Sequence, residues 1–180
     1  MIPAPDDLSF MHKSAGWALA RLGPSEAALF KAVRRRMFAQ EPHAFRFAPE
    51  DEDALSVAAS AQRLSQACVL VACVRRCVAG IGGFERLQGH KIDHKGLIFG
   101  MYVEPDHRGG DIADAIMSTL LEQAAQQVES VDLTVVGGNA RAIRFYERWG
   151  FRVFAMEPDS IRLATGEYLD ECWMRLRFRA

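Results

Sequence analysis

Alternating strand and helix signals predict an α/β fold for this 180-residue chain, a mixed β-sheet with helices on both faces. Three observations carry that prediction. From Lys95 onward the pattern reads strand, helix, strand, helix, strand, with a last strand in the closing dozen residues. Before it, ACVLVACV and VAGIGGFERL form two strand-like runs that meet at Arg75-Arg76, the mark of a hairpin. Finally, 49% of the residues are apolar, and a chain this long can bury roughly 70% of its unfolded surface in one core. A single domain over residues 1–180 is therefore expected.

Each element has a local cause. WALARL around Trp17 reads as the first strand, and Pro24 suits the first turn of a helix running toward Gln40. Leu29, Phe30, Val33 and Met37 form the apolar face of that helix, and the run Arg34, Arg35, Arg36 reads as a solvated face rather than a polyanion site. After the loop from Pro42 to Pro49, PEDEDALSVAASAQRL has acids in its first turn and apolar residues behind, which predicts one more helix. The hairpin strands follow, then the polar loop QGHKIDHKG. His90 and His94 in that loop would suit a metal only on a helix, which the glycines beside them oppose, so no metal is expected.

The strand IFGMYV ends at Val103, and Pro105 stops its pairing. Gly109 and Gly110 permit backbone angles closed to other residues. Ile112, Ala113, Ile116, Met117, Leu120, Leu121, Ala124 and Val128 then recur at helical spacing and present one apolar face to a sheet. LTVV reads as the next strand, Asn139 caps a further helix that Gly150 ends, and GEYLDECWMRL closes the chain as a strand.

Composition narrows the class of function. A net charge of −1 gives no general attraction for nucleic acid or an anionic membrane. No apolar run approaches a membrane span, and MIPAPDDL lacks the basic-then-apolar order of a signal peptide, so a cytoplasmic location is expected. The four cysteines match no zinc spacing and read as small, reduced, apolar residues.

One stretch carries chemistry. A helix that begins directly after the turn HRGGD exposes unpaired N–H groups and a positive dipole end, which can hold a pyrophosphate, with Arg108 as a charged partner. Two adjacent glycines before a helix also suit an ordinary tight connection. The second half of the signal is Asn139 with Tyr146 seven residues on, two turns along the same face.

Arg108 through Ala113 and Asn139 through Phe151, with Ala142, Tyr146 and Gly150 in register, resemble the two motifs of the GNAT superfamily of acetyl-coenzyme A dependent N-acyltransferases. The resemblance extends to Glu41-Pro42 and Phe45 after the first long helix. It implies a fold in which the strand before the glycine turn and the strand after its helix splay apart, with the acyl thioester in the gap. It also implies that the backbone of Met101, Tyr102 and Val103 pairs with the pantetheine arm as an added strand. The cofactor contacts implied are Arg108, Gly109, Gly110, Asp111, Ile112, Ala113 and Asn139, with Tyr146 assisting the leaving thiolate. The cosubstrate is acetyl-CoA and the partner is an amine acceptor, either a small molecule, an amino acid or a protein; a homodimer is common in such families.

Two departures stand out. The motif's first glycine is Asp111 here, and a carboxylate facing a phosphate at roughly 6 Å repels it by about 3 kcal/mol at an effective dielectric near 20, about a hundredfold in affinity. In ribosomal-protein alanine acetyltransferases, a related group, a glutamate five residues before the motif asparagine serves as base. That position is Thr134 here, and of the acids and histidines nearby, Glu85, Glu104 and His107, none is assigned the role. The readings left open are an N-acetyltransferase acting by direct attack and a non-catalytic acyl-CoA-binding or regulatory protein that keeps the fold.

Overall fold

The computed structural model describes residues 1–14 and 16–178. Among them nine strands form one sheet. In chain order the elements are β1 (Ile2–Pro3), β2 (Phe10–Lys13), β3 (Ala18–Leu22), α1 (Ala27–Gln40), α2 (Pro49–Ala54), α3 (Val57–Gln66), β4 (Ala67–Val74) and β5 (Cys77–Arg86). There follow β6 (Lys95–Val103), α4 (Ile112–Ala125), β7 (Ser130–Val136), α5 (Ala140–Arg148), β8 (Arg152–Arg162) and β9 (Tyr168–Arg177). The sheet order is β2-β3-β4-β5-β6-β7-β9-β8, with β1 pairing β5 at its start.

The sheet is mixed because α4 carries the chain back over one face, making β6 and β7 parallel, whereas the other neighbours pair antiparallel. Alternation along β4 divides the core. Cys68, Leu70 and Ala72 meet α4 on one face, and Ala67, Val69, Val71 and Cys73 meet α1 and α3 on the other. Burial on both faces explains why β4 reads as a continuous apolar run. Gly80 and Gly82 let α4 approach β5 closely: a Cβ would lie 2.9 Å from Ile112 Cγ2 at the first and 2.7 Å from Ile116 Cγ2 at the second.

Three expectations are corrected. The strand after Trp17 is the third and not the first, because the short, weakly patterned β1 and β2 precede it. The predicted helix from Pro49 is two helices, broken at Leu55, because Ser56 accepts a hydrogen bond from the Ala59 N–H at 3.0 Å and so caps a new start. The arginine run is not one solvated face. Three consecutive helical residues span more than half a turn, and Arg34 points inward, 5% exposed, against Glu52 at 2.8 Å. Arg36 pairs with Glu104 at 2.7 Å, and Arg35 lies on the exposed side with Asp53.

The Arg75-Arg76 hairpin is as expected, with both residues at positive φ, 47° and 61°. No helix among the described residues is long and apolar enough to cross a membrane.

The feature that creates the site lies in β6. Gly100, at φ 61°, adds one residue between Phe99 and Tyr102 where β5 has Ile81 and Gly83 opposite. Such a bulge bends and twists its strand. β6 pairs with β7 only from Lys95 opposite Ser130 to Leu97 opposite Asp132, and beyond that the two strands diverge. A wedge opens between Ile98–Val103 and Leu133–Val136.

Candidate active site

A cleft of about 820 Å³ occupies the wedge and continues under the loop between α1 and α2. Of the residues singled out in the sequence, Met101, Tyr102, Val103, Arg108, Gly109, Gly110, Ala113, Asn139 and Tyr146 line it together. Asp111 and Ile112 do not. Ile112 turns its side chain into the core beside Gly80, and only its backbone belongs to the turn.

The turn is built from local chemistry. After Pro105, the His107 N–H donates to the Glu104 carbonyl at 2.9 Å and the Arg108 N–H to the Pro105 carbonyl at 3.2 Å. Gly109 then takes φ 81°, where a side chain is strained. The N–H groups of Gly109, Gly110, Asp111, Ile112 and Ala113 donate to no backbone carbonyl among the described residues. Five amides thus stand free at the start of a 14-residue helix, a set fit for an anion.

Arg108 is engaged within the protein. Its Nε donates to the Val103 carbonyl at 2.8 Å and its Nη2 pairs with Glu41, which ties the end of β6 to the end of α1. Further cations come from α5, where Arg141, Arg144 and Arg148 line the same cleft. Sequence reasoning missed them, although their spacing of three and four residues along one helical face was present within the Asn139–Phe151 motif.

Asp111 is redirected. Its Oδ1 accepts a hydrogen bond from Trp17 Nε1 at 2.8 Å, so the carboxylate is held by the strand-β3 approach rather than facing the cleft. Asn139 caps α5 as expected, its side chain accepting from the Ala142 N–H at 3.1 Å.

Tyr146 is 9% exposed and packs edge-on against Phe145 and Phe151, with ring centroids 5.4 and 5.9 Å away. Burial raises its phenol well above the ordinary tyrosine value. The phenol oxygen has no hydrogen-bonding partner among the described residues, although the side chain reaches the cleft wall. Tyr102 contributes its backbone: its side chain lies in the core beneath α1 and donates to Glu104 at 3.2 Å.

Thr134 also lines the cleft. Beside it stands an acid that the sequence did not single out, Glu171 of β9, paired in register with Val136 and 1% exposed. Burial pushes this carboxyl up, but hydrogen bonds from Arg46, Ser160 and Thr134 outweigh it and hold the group below the usual carboxylate range. Glu104 is bound to Arg36 and lies off the cleft, whereas Glu85 and His107 lie on its wall.

A family model described as "Acetyltransferase (GNAT) family" matches residues 28–151. The chain belongs to the GNAT acetyltransferase family. It is 32% identical over 134 residues to a mycothiol acetyltransferase of Brachybacterium faecium, covering 71% of this chain and 38% of that protein. It is 30% identical over 107 residues to an L-amino acid N-acetyltransferase of Escherichia coli, covering 58% of this chain and 65% of the relative. This GNAT chain thus spans less than two thirds of the length of either curated relative. Its fold is shared with a Salmonella typhimurium protein whose solved structure carries its cofactor acetyl-CoA, at a TM-score of 0.74 and 19% identity over 92% of this chain and 96% of that one. The diverging β6 and β7 match the splay that the family resemblance implied.

Proposed function

We propose that this GNAT protein transfers an acetyl group from acetyl-CoA to a primary amine by direct attack. The reading rests on one observation: the free amides of Gly109–Ala113, the unpaired edge of β6 and the Tyr146 phenol line a single cleft. The residues present fit the cosubstrate. Gly109–Ala113 would hold the diphosphate, Arg141 and Arg144 add positive charge near it, and the β6 edge offers backbone groups to an extended amide-bearing arm.

Acetyl-CoA supplies an activated thioester when bound. Residues 101–103 hold it beside the amine, and proximity of this kind supplies much of the rate. A backbone N–H of residues 101–103 would stabilise the developing oxyanion. The amine would add to the thioester carbonyl and give up its proton to water, and the C–S bond would then break with the Tyr146 hydroxyl donating a hydrogen bond to the leaving thiolate. Glu171 is too well satisfied by its donors to act as a proton acceptor, so it is assigned no part in the proton transfer.

The rival reading, a binder without turnover, has two motives, Asp111 and Thr134 in place of a glutamate; the first of them is weakened here. The Trp17 hydrogen bond removes much of that motive. Asp111→Gly is therefore expected to change acetyl-CoA affinity by less than about threefold, measured by titration calorimetry. A gain near a hundredfold would restore the repulsion argument. Activity itself is tested by thiol release from acetyl-CoA with a panel of primary amines; binding without release from any of them would favour the non-catalytic reading.

A further inference from the structure

We infer that the acceptor carries a carboxylate along with its amine, and that Arg46 is the residue that recognises it. This rests on the acetyl-transfer reading and deepens it.

Arg46 lies in the loop between α1 and α2 and lines the cleft opposite the wedge, with Phe45 and Phe47 beside it. Its Nε donates to Glu171 Oε1 at 3.2 Å and its Nη2 pairs with Glu171 Oε2. The guanidinium also lies 5.9 Å from the centroid of the Trp173 ring. Glu171 accepts from Ser160 Oγ at 2.8 Å as well, so the carboxylate is fully occupied.

The guanidinium is not. It has five N–H groups in a rigid plane, and the side-on contact with Glu171 uses two of them. The remaining edge, Nη1 with the outer N–H of Nη2, has no partner among the described residues, and the side chain is 40% exposed within the cleft. That edge matches a second carboxylate end-on. A buried ion pair is weak evidence for stability by itself. Here the buried member orients the exposed one, so the fork is pre-organised before any ligand arrives.

The charge of the cleft agrees. Apart from the α5 arginines near the diphosphate, its lining carries Arg34, Arg46, Arg63 and Arg108 with Glu41, Glu85 and Glu171. A purely cationic acceptor such as a polyamine finds no unpaired acid there, whereas an amine with its own carboxylate meets the open edge of Arg46. Arg34, Arg63 and Arg108, the other cations at this end, are each paired with an acid of their own, Glu52, Glu85 and Glu41. Glu171 instead divides its acceptor capacity between Arg46 and the hydroxyls of Ser160 and Thr134.

The test compares the twenty common L-amino acids with their decarboxylated amines, for example L-leucine with isopentylamine and L-phenylalanine with 2-phenylethylamine, using thiol release from acetyl-CoA. At least one acid is expected to exceed its matched amine in kcat/KM by about 10- to 100-fold. Arg46→Lys keeps a positive charge beside Glu171 but loses the fork, and should reduce that preference at least about tenfold, mainly through KM. Turnover of the amines with equal or greater efficiency overturns the inference and leaves acetyl transfer standing. A preference that survives Arg46→Lys undiminished overturns the role of Arg46. No thiol release with any member of the panel removes the acetyl-transfer reading and this inference with it. Because the matched pairs are compared on the unaltered protein first, a variant that fails to fold does not remove the test.

Discussion

Tyr146→Phe is expected to lower kcat by about 10- to 100-fold while acetyl-CoA affinity stays within about twofold. The magnitude follows from the chemistry of the group. A phenol of ordinary pKa about 10 facing a thiolate of about 8.5 would already find full proton transfer uphill by around 2 kcal/mol. Burial raises the phenol further, so it stays a neutral hydrogen-bond donor across the whole working pH range. A hydrogen bond to a group becoming anionic contributes about 1.5–3 kcal/mol, which corresponds to the rate loss given. Since the charge exists only as the C–S bond breaks, kcat and kcat/KM should fall together. The ring packs against Phe145 and Phe151, and phenylalanine preserves that packing. Steady-state kinetics on the variant decide the matter: a kcat within twofold of the parent would reduce Tyr146 to a packing residue. In the parent protein, the pH profile should show no alkaline loss from this phenol through pH 10, because its protonated, donating form persists there.

Glu52→Ala should destabilise the fold by about 3–5 kcal/mol. Arg34 is 5% exposed and Glu52 2%, and the guanidinium lies between the rings of Phe30 and Phe38, 5.3 and 4.9 Å from their centroids. Burial lowers the pKa of Arg34, and Glu52 is the main group opposing that shift. Removing the carboxylate leaves a desolvated cation without its hydrogen-bonded counter-charge, with only the more distant Glu85 opposing. For a chain of this size the loss corresponds to a fall in Tm of about 6–20 °C, readable by thermal or urea unfolding. Arg34→Met combined with Glu52→Leu should recover most of it, since a well-packed apolar pair replaces the ion pair without burying charge. A single-variant loss below about 1 kcal/mol would show that Arg34 reaches water by rearrangement. The pair matters for the site because it clamps α2 onto α1, and the loop between them carries Phe45 and Arg46.

Local signals were read well because they act through a residue's own backbone or its near neighbours. Gly109 needs a positive φ, Asn139 bonds the amide three residues on, and the Arg75-Arg76 turn joins two adjacent strands. The same locality explains the errors. The run from Pro49 predicts one helix because periodicity continues through Leu55, yet the capping bond of Ser56 restarts it. The arginine run suggests a solvated face because sequence shows its charge and not the acid, 18 residues away, that meets Arg34.

Element order, the glycine turn before α4, the Asn139–Tyr146 helix and the family were thus written in the amino-acid order, since each depends on spacing along the chain. Packing alone placed the rest. Trp17 reaches Asp111 across 94 residues and Arg46 reaches Glu171 across 125. The first depends on α4 packing over β4 and β5 beside β3, and the second on β9 entering the sheet between β7 and β8. Hydrophobic periodicity says which face of a strand is buried; which distant side chain meets it is set by how the sheet assembles.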